Sequence, residues 1–241
     1  MARLGVGRED LTPVPELLTG APGCWVNPAH ADAARAAGFE LWEDPLRFVV
    51  AHLEATLRTN LAGFLDLQEA ERLLGGWARG EEGAVLIGES LSTAGDRLRL
   101  ARLLRALVAE HVPVTRPVPI LEAFRRADRA DDGRAALRAA RMALRDLLPG
   151  NRPGVQHLPL PEATEQRVAA GVRGDARRAF LALPREDVQA ALAQVRALVA
   201  TAARPVVLIT RRADLRPLVR RLVEVEFPQL MVLSEEEALP P

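Results

Sequence analysis

The sequence predicts an α+β fold, mostly helical, in which a helical middle subdomain is followed by a small α/β C-terminal subdomain. Three observations predict it. Leu46, Val49, Val50, Leu53, Leu57 and Leu61 recur at three- and four-residue spacing, the period of one helix face. At Pro149-Gly150-Asn151-Arg152-Pro153-Gly154 the helical pattern stops and short apolar runs begin. The closing stretch PVVLITRRADLRPLVRRLVEVEFPQLMVLS, residues 205–234, sets two such runs on either side of an arginine-rich helical segment.

Taken in order, residues 1–23 are rich in Gly and Pro and read as a tail or a fragment of a larger unit. Cys24 to Asn27 suits a short strand. Asp44-Pro45 supplies an N-cap carboxylate followed by proline at the first helical position, where its missing N–H costs nothing. The helix carrying the leucine and valine stripe starts there. Asp66-Leu67-Gln68-Glu69 has the spacing of a capping box and opens a second helix through Leu74, so the two helices form a hairpin. Residues 75–95, glycine-rich and acidic, read as a loop or a boundary.

Residues 96–110 return to helical spacing, with Leu100, Leu103, Leu104, Leu107 and Val108 on one face and Arg97, Arg99, Arg102 and Arg105 largely off it and solvated. Pro113, Pro117 and Pro119 break the chain before a helix over 120–127, and a further helix over 133–148 ends at Pro149-Gly150. Beyond it, 155–160 suits a strand, 162–171 a helix, and 185–203 a longer helix with Val188, Leu192, Val195 and Val199 on its buried side. Residues 205–210 read as a strand buried on both faces, 214–227 as a helix with Pro217 in its first turn, and 230–233 as a second strand. A crossover between adjacent parallel strands and a split arrangement with a strand between are both compatible with that spacing. Arg211, Arg212, Arg216, Arg220 and Arg221 are expected on the outer face of the last helix. The chain thus divides into partial N-terminal subdomains over 1–87, an all-helical subdomain over 88–150 and an α/β subdomain over 151–241.

Composition narrows the function. Of 241 residues, 49% are apolar and 27% charged, and no segment approaches the run of about 20 apolar residues that a membrane helix needs. The first ten residues hold no apolar signal segment, so a cytoplasmic location is expected. Thirty-two basic residues balance 32 acidic ones, which gives no field to gather nucleic acid. Every basic residue is arginine, which excludes a P-loop or Schiff-base lysine. Gly88-Glu89-Ser90-Leu91-Ser92 lacks the closing glycine of a nucleophile elbow. The acidic run 128–133 has Ala130 and Ala139 where a calcium loop needs ligands. His30, His52, His111 and His157 have no paired ligand spacing, and Cys24 beside Trp25 reads as a small buried hydrophobe. No enzyme activity, metal or cofactor is expected.

Several pieces resemble one family in order and spacing: Gly23-Cys24-Trp25-Val26-Asn27-Pro28, Ala36-Ala37-Gly38-Phe39, Val50-Ala51-His52-Leu53, Gln68-Glu69, Leu103-Leu104, Val112-Pro113-Val114 and Ile120-Leu121-Glu122. The tail matches best, through Pro205-Val206-Val207-Leu208, Leu215-Arg216-Pro217-Leu218 and Phe227-Pro228-Gln229-Leu230-Met231-Val232-Leu233-Ser234. Together these resemble the cytoplasmic domain of the FHIPEP family, the large export-gate protein of flagellar and virulence type III secretion systems. The resemblance implies a protein-binding function: docking export chaperones with their cargo, in a ring of usually nine subunits above a membrane channel. It also implies that partner-binding residues lie at Phe64, Leu65 and Asp66 with Leu98 on the facing wall; the alternative is that Phe64 and Leu65 are core. The family's membrane half and most of its first cytosolic subdomain have no counterpart here, and Thr115-Arg116 followed by Pro117-Val118-Pro119 departs from its usual arginine-aspartate pair. Two expectations follow: the next helix starts later than in the family, and the isolated chain is a monomer or small oligomer. A stand-alone cytosolic scaffold that kept the fold without a secretion role is the other reading, with export chaperones, cargo or a separately encoded membrane component as partners under the first.

Overall fold

The computed structural model describes residues 12–14, 23–127, 133–174, 179–202 and 205–240. Most of the Gly/Pro-rich start and the acidic run 128–132 lie outside the described residues. The chain divides into two compact units, the first ending at Asn60 and the second beginning at Leu61.

In the first unit, strand β1 (Thr12–Val14) pairs antiparallel with β2 (Gly23–Trp25). A 3-10 turn capped by the Asn27 side chain leads into α1 (Ala31–Ala36). Helix α2 (Pro45–Phe64) begins as the Asp44-Pro45 signal predicts: the Asp44 carboxylate accepts the Leu46 N–H at 2.9 Å. Trp25 and Phe48 rings lie 4.7 Å apart, and Phe48 stacks on His52. Cys24, expected to be buried, is exposed. Alternation along a strand decides which face a side chain takes, and a three-residue strand gives the sequence too little of it to read.

The second unit opens with α3 (Leu67–Trp77), α4 (Glu81–Ser90), α5 (Ala94–Ala109), α6 (Pro117–Arg126) and α7 (Arg134–Ala143). The loop expected over 75–95 is largely helical instead: α4 occupies its middle, and the end of α3 and the start of α5 run into it. Gly80 takes the extended N-cap conformation, Glu81 and Glu82 place negative charge at the first turn, and Gly83, Leu86 and Ser90 turn inward. Burying Leu86 contributes about 1.5–3 kcal/mol, more than the roughly 1 kcal/mol a helical glycine costs. A Cβ on Gly83 would collide with the Trp77 carbonyl. Gly83→Ala is therefore expected to destabilise by about 1–3 kcal/mol despite alanine's better helix propensity, and a denaturant melt checks it.

Helix α5 is opened by a full capping box, Thr93 accepting the Asp96 N–H and Asp96 accepting the Thr93 N–H. It ends in a Schellman turn: Val112 N–H reaches Leu107 O and His111 N–H reaches Val108 O, with His111 at φ 57° where glycine is usual. Helix α6 starts at Pro117, three residues before the expected boundary, because Pro117 and Pro119 both fall in the first turn and owe no N–H to the ladder. Helix α7 stops at Ala143 and two 3-10 turns carry the chain to Asn151.

The α/β part has β3 (Gln156–Pro159), α8 (Glu162–Ala170), the short pair β4 (Val172–Arg173) and β5 (Phe180–Leu181), α9 (Arg185–Ala200), β6 (Val206–Thr210), α10 (Arg216–Val223) and β7 (Met231–Ser234). Strands β3, β6 and β7 form a parallel sheet with β6 central. β6 and β7 are direct neighbours, which decides between the two arrangements left open by the sequence. Alternation sorts the sheet's faces. Val207, Ile209, Met231 and Leu233 pack with the helical core around Leu100, Leu104, Ile120 and Leu144, whereas Leu208 and Val232 pack with Val195 of α9 and Val219 of α10. The sheet is thus a middle layer buried on both faces, as parallel sheets are.

Charge also joins the two layers. Arg141 of α7 is fully buried and holds Glu237 through two hydrogen bonds, Nε at 2.6 Å and Nη2 at 2.9 Å, while its Nη1 meets Glu110 at 2.6 Å. Arg216 of α10 also grips Glu110, and Glu237 accepts the Ser234 N–H at 3.0 Å. Arg216 was expected on the outer face of its helix; it is 4% exposed. The correction has a tertiary cause: its partner Glu110 sits 106 residues earlier in the chain. Arg220 likewise turns in, donating to the carbonyls of Leu230 and Pro228. Arg211, Arg212 and Arg221 are exposed.

Candidate protein-docking surface

The turn between α2 and α3 puts three consecutive side chains to three uses. Leu65 is 6% exposed and belongs to the helical core. Its carbonyl accepts a hydrogen bond from Arg105 Nε of α5 at 3.0 Å, so the turn is held from both sides of the residue. Asp66, extended at φ −83° and ψ −174°, accepts the Glu69 N–H at 2.8 Å and caps α3. The Glu69 side chain is drawn to Arg72 at 2.6 Å. Phe64, the last residue of α2, is 61% exposed. The buried leucine and the helix cap that directly follow Phe64 thus fix the backbone that presents its ring outward.

Leu98 is 43% exposed on α5. It lies seven residues before Arg105, roughly two turns and about 10 Å along the same helix face, and that face is the one that reaches the α2–α3 turn. Its neighbour Arg97 pairs with Glu71 of α3 at 2.6 Å, which ties the stretch around Leu98 to α3. Of the four residues named from the sequence, Phe64, Asp66 and Leu98 are exposed, whereas Leu65 is in the core and closed to a partner. Sequence reasoning missed Leu67, 47% exposed at the first position of α3 and, with Leu61 and Phe64, part of a three-residue apolar spacing across the turn. That spacing was the available signal.

The α2 stripe that sequence periodicity would place in a core is exposed at Leu46, Val49, Val50, Leu53, Leu57 and Leu61. Exposed apolar residues concentrated on one element are the composition of an interaction surface. Among the described residues no three His, Cys, Asp or Glu side chains gather to hold a metal, and no helix is long and apolar enough to cross a membrane. The Ser90 hydroxyl of the rejected nucleophile motif is buried without a hydrogen-bond partner at the end of a helix, not on a strand-to-helix turn.

An exposed apolar corner on a layered helical and α/β fold has the composition of an interaction surface. The sequence matches the FHIPEP family over residues 5–240, and the chain belongs to that family. The probable translocation protein y4yR of Sinorhizobium fredii is 29% identical over 223 residues, which is 88% of this chain but 31% of y4yR, so the chain spans less than a third of that relative's length. Among solved structures, Chlamydia pneumoniae CdsV superposes with a TM-score of 0.74 at 22% identity, covering 99% of this chain and 70% of the other. The nonameric EPEC SctV-C gives 0.71 at 17% identity, covering 98% and 72%. CdsV has also been solved in complex with CdsO.

Proposed function

We propose that this chain is the protein-docking, cytoplasmic part of a type III secretion export gate and that export chaperones carrying their cargo dock on the corner formed by Phe64, Leu67, Asp66 and Leu98. Its role is binding, with no catalytic step. The observation that carries the reading is the 61% exposure of Phe64 directly beside a 6% exposed Leu65: a rigidly seated aromatic left facing solvent. Such anchors dominate binding energy when a partner covers them, because they bury much area at little conformational cost. Membership of the FHIPEP family supports the secretion context, and the CdsV–CdsO complex supports a protein as partner.

A photo-crosslinking residue placed at position 64 in the secreting cell tests it. The expected adduct is an export chaperone or its cargo. Crosslinking at an exposed control position such as Arg79 but never at 64 would contradict it. On assembly, the reading keeps the free chain as a monomer or small oligomer, since Arg116, at the altered position, pairs within its own chain with Asp146 at 2.6 Å. Sedimentation is expected to report no stable nonamer; a nonamer would place this chain with SctV-C instead.

A further inference from the structure

We propose that the groove between α8, the β4–β5 pair and the first turn of α9 binds an extended acidic peptide, which adds to the free edge of β5 and sets a side-chain carboxylate on Arg167. The groove is open to solvent, offers about 540 Å³, and is lined by Ala163, Ala170 and Gly171 on one side and by Ala182, Leu183 and Pro184 on the other. Small side chains on both walls leave room for a main chain.

Three observations define what it takes. First, the Arg167 guanidinium is incompletely used. Its Nε donates to Asp187 at 2.9 Å, but Nη1 is buried with no hydrogen-bond partner. The side chain as a whole lines the groove and is 29% exposed, so a carboxylate there can reach the guanidinium, with which it pairs best. Second, Arg173 stands at the rim with its Nη1 pinned to the carbonyls of Ala170 at 2.8 Å and Val172 at 2.9 Å, so its charge is held in place. Two arginines against Asp187 leave the lining one positive charge in excess. The chain as a whole, 32 basic against 32 acidic residues, has no field for a polyanion, so a peptide carboxylate fits better than a nucleic acid.

Third, one sheet edge is open. The Ala182 N–H donates to Gly171 O at 2.9 Å, and Val172 is paired with Leu181. Leu181 therefore occupies the non-hydrogen-bonded position, and its N–H and C=O point away from β4. The sheet has two strands, so among the described residues no further strand covers that edge, whereas the outward carbonyl of Val172 on β4 is taken by Arg173. Strand addition to such an edge supplies main-chain affinity, and flanking pockets supply specificity. β5 runs directly into the groove wall at Ala182–Pro184, so a peptide following its edge is led to Arg167.

The test uses the full chain and two short labelled peptides, acetylated and amidated at their ends, that alternate valine with glutamate in one and with glutamine in the other. Fluorescence anisotropy is expected to show the glutamate peptide binding about tenfold or more tightly than the glutamine peptide, as a charge-assisted hydrogen bond allows. Arg167→Gln should erase the difference. Ala170→Glu, which leaves the Arg167–Asp187 pair intact but puts a carboxylate in the groove, should do the same and decides the matter if Arg167→Gln misfolds. Arg79→Gln, outside the groove, should change nothing. The Leu181 amide should shift on titration in an NMR spectrum. Equal affinity for the two peptides, insensitivity to both groove variants, or an unmoved Leu181 amide would each overturn the proposal. The inference does not depend on the docking corner at Phe64.

Discussion

Replacing Arg141 by methionine is expected to lower the unfolding free energy by about 3–5 kcal/mol, the usual cost of removing one partner from a buried ion pair. Methionine fills much of the volume, so the loss is electrostatic. It leaves Glu237, 2% exposed, with only the Ser234 N–H and a distant Arg216 Nε at 3.9 Å, and leaves Glu110 with Arg216 alone. Glu237→Gln should cost less, because the amide oxygen still accepts from Arg141 and no carboxylate is stranded. The two variants together should cost less than their sum, since each damages the same contact, and a double-mutant cycle measures the difference. Acid should act on the same group. Burial alone would raise the Glu237 carboxyl, but the hydrogen bonds from Arg141 and the charges of Arg141 and Arg216 outweigh it and hold it below the usual carboxylate range. A carboxylate depressed in the folded state contributes stability above its unfolded pKa of about 4.3, and that contribution is lost as pH falls through the lower folded value. Urea midpoints measured downward from pH 5 should therefore fall for the parent and fall less steeply for Glu237→Gln.

The second large effect is at Leu65. Leu65→Ala should destabilise by about 2–5 kcal/mol, because it empties a buried core position. Phe64→Ala, one residue earlier, removes a larger side chain yet should change stability by less than about 1 kcal/mol, since exposed truncations away from caps and cores rarely do more. The contrast separates the two residues that the sequence alone groups together.

That grouping marks where sequence reading ran out. Local signals were legible: Asp44-Pro45 and Asp66 open helices α2 and α3 where they stand in the chain, the face from Leu100 to Val108 is buried, and the central strand Val206–Thr210 is covered on both sides. Each of those depends on neighbours within a few residues. Helix α4 was hidden because glycines and acidic residues read as a loop, while the packing that favours it, Leu86 and Gly83 against the core, is tertiary. Arg216 was placed outside because arginine is seldom buried; only Glu110, brought close by folding, reverses that. Periodicity likewise finds the α2 stripe but says nothing of whether another element covers it, and among the described residues the stripe is exposed. For the candidate site, spacing located the turn, whereas the outward Phe64 and inward Leu65 follow from the turn's conformation and the Arg105 hydrogen bond.

The central claim is that the Phe64 corner is where a partner docks, and isothermal titration of the purified chain with an export chaperone–cargo complex from the same secretion system tests it most directly. Phe64→Ala is expected to weaken that binding by about 1–3 kcal/mol, as truncation of an interface anchor does, with the thermal melt unchanged. An affinity equal to that of the parent chain, measured on Phe64→Ala protein that melts at the parent temperature, would contradict the account.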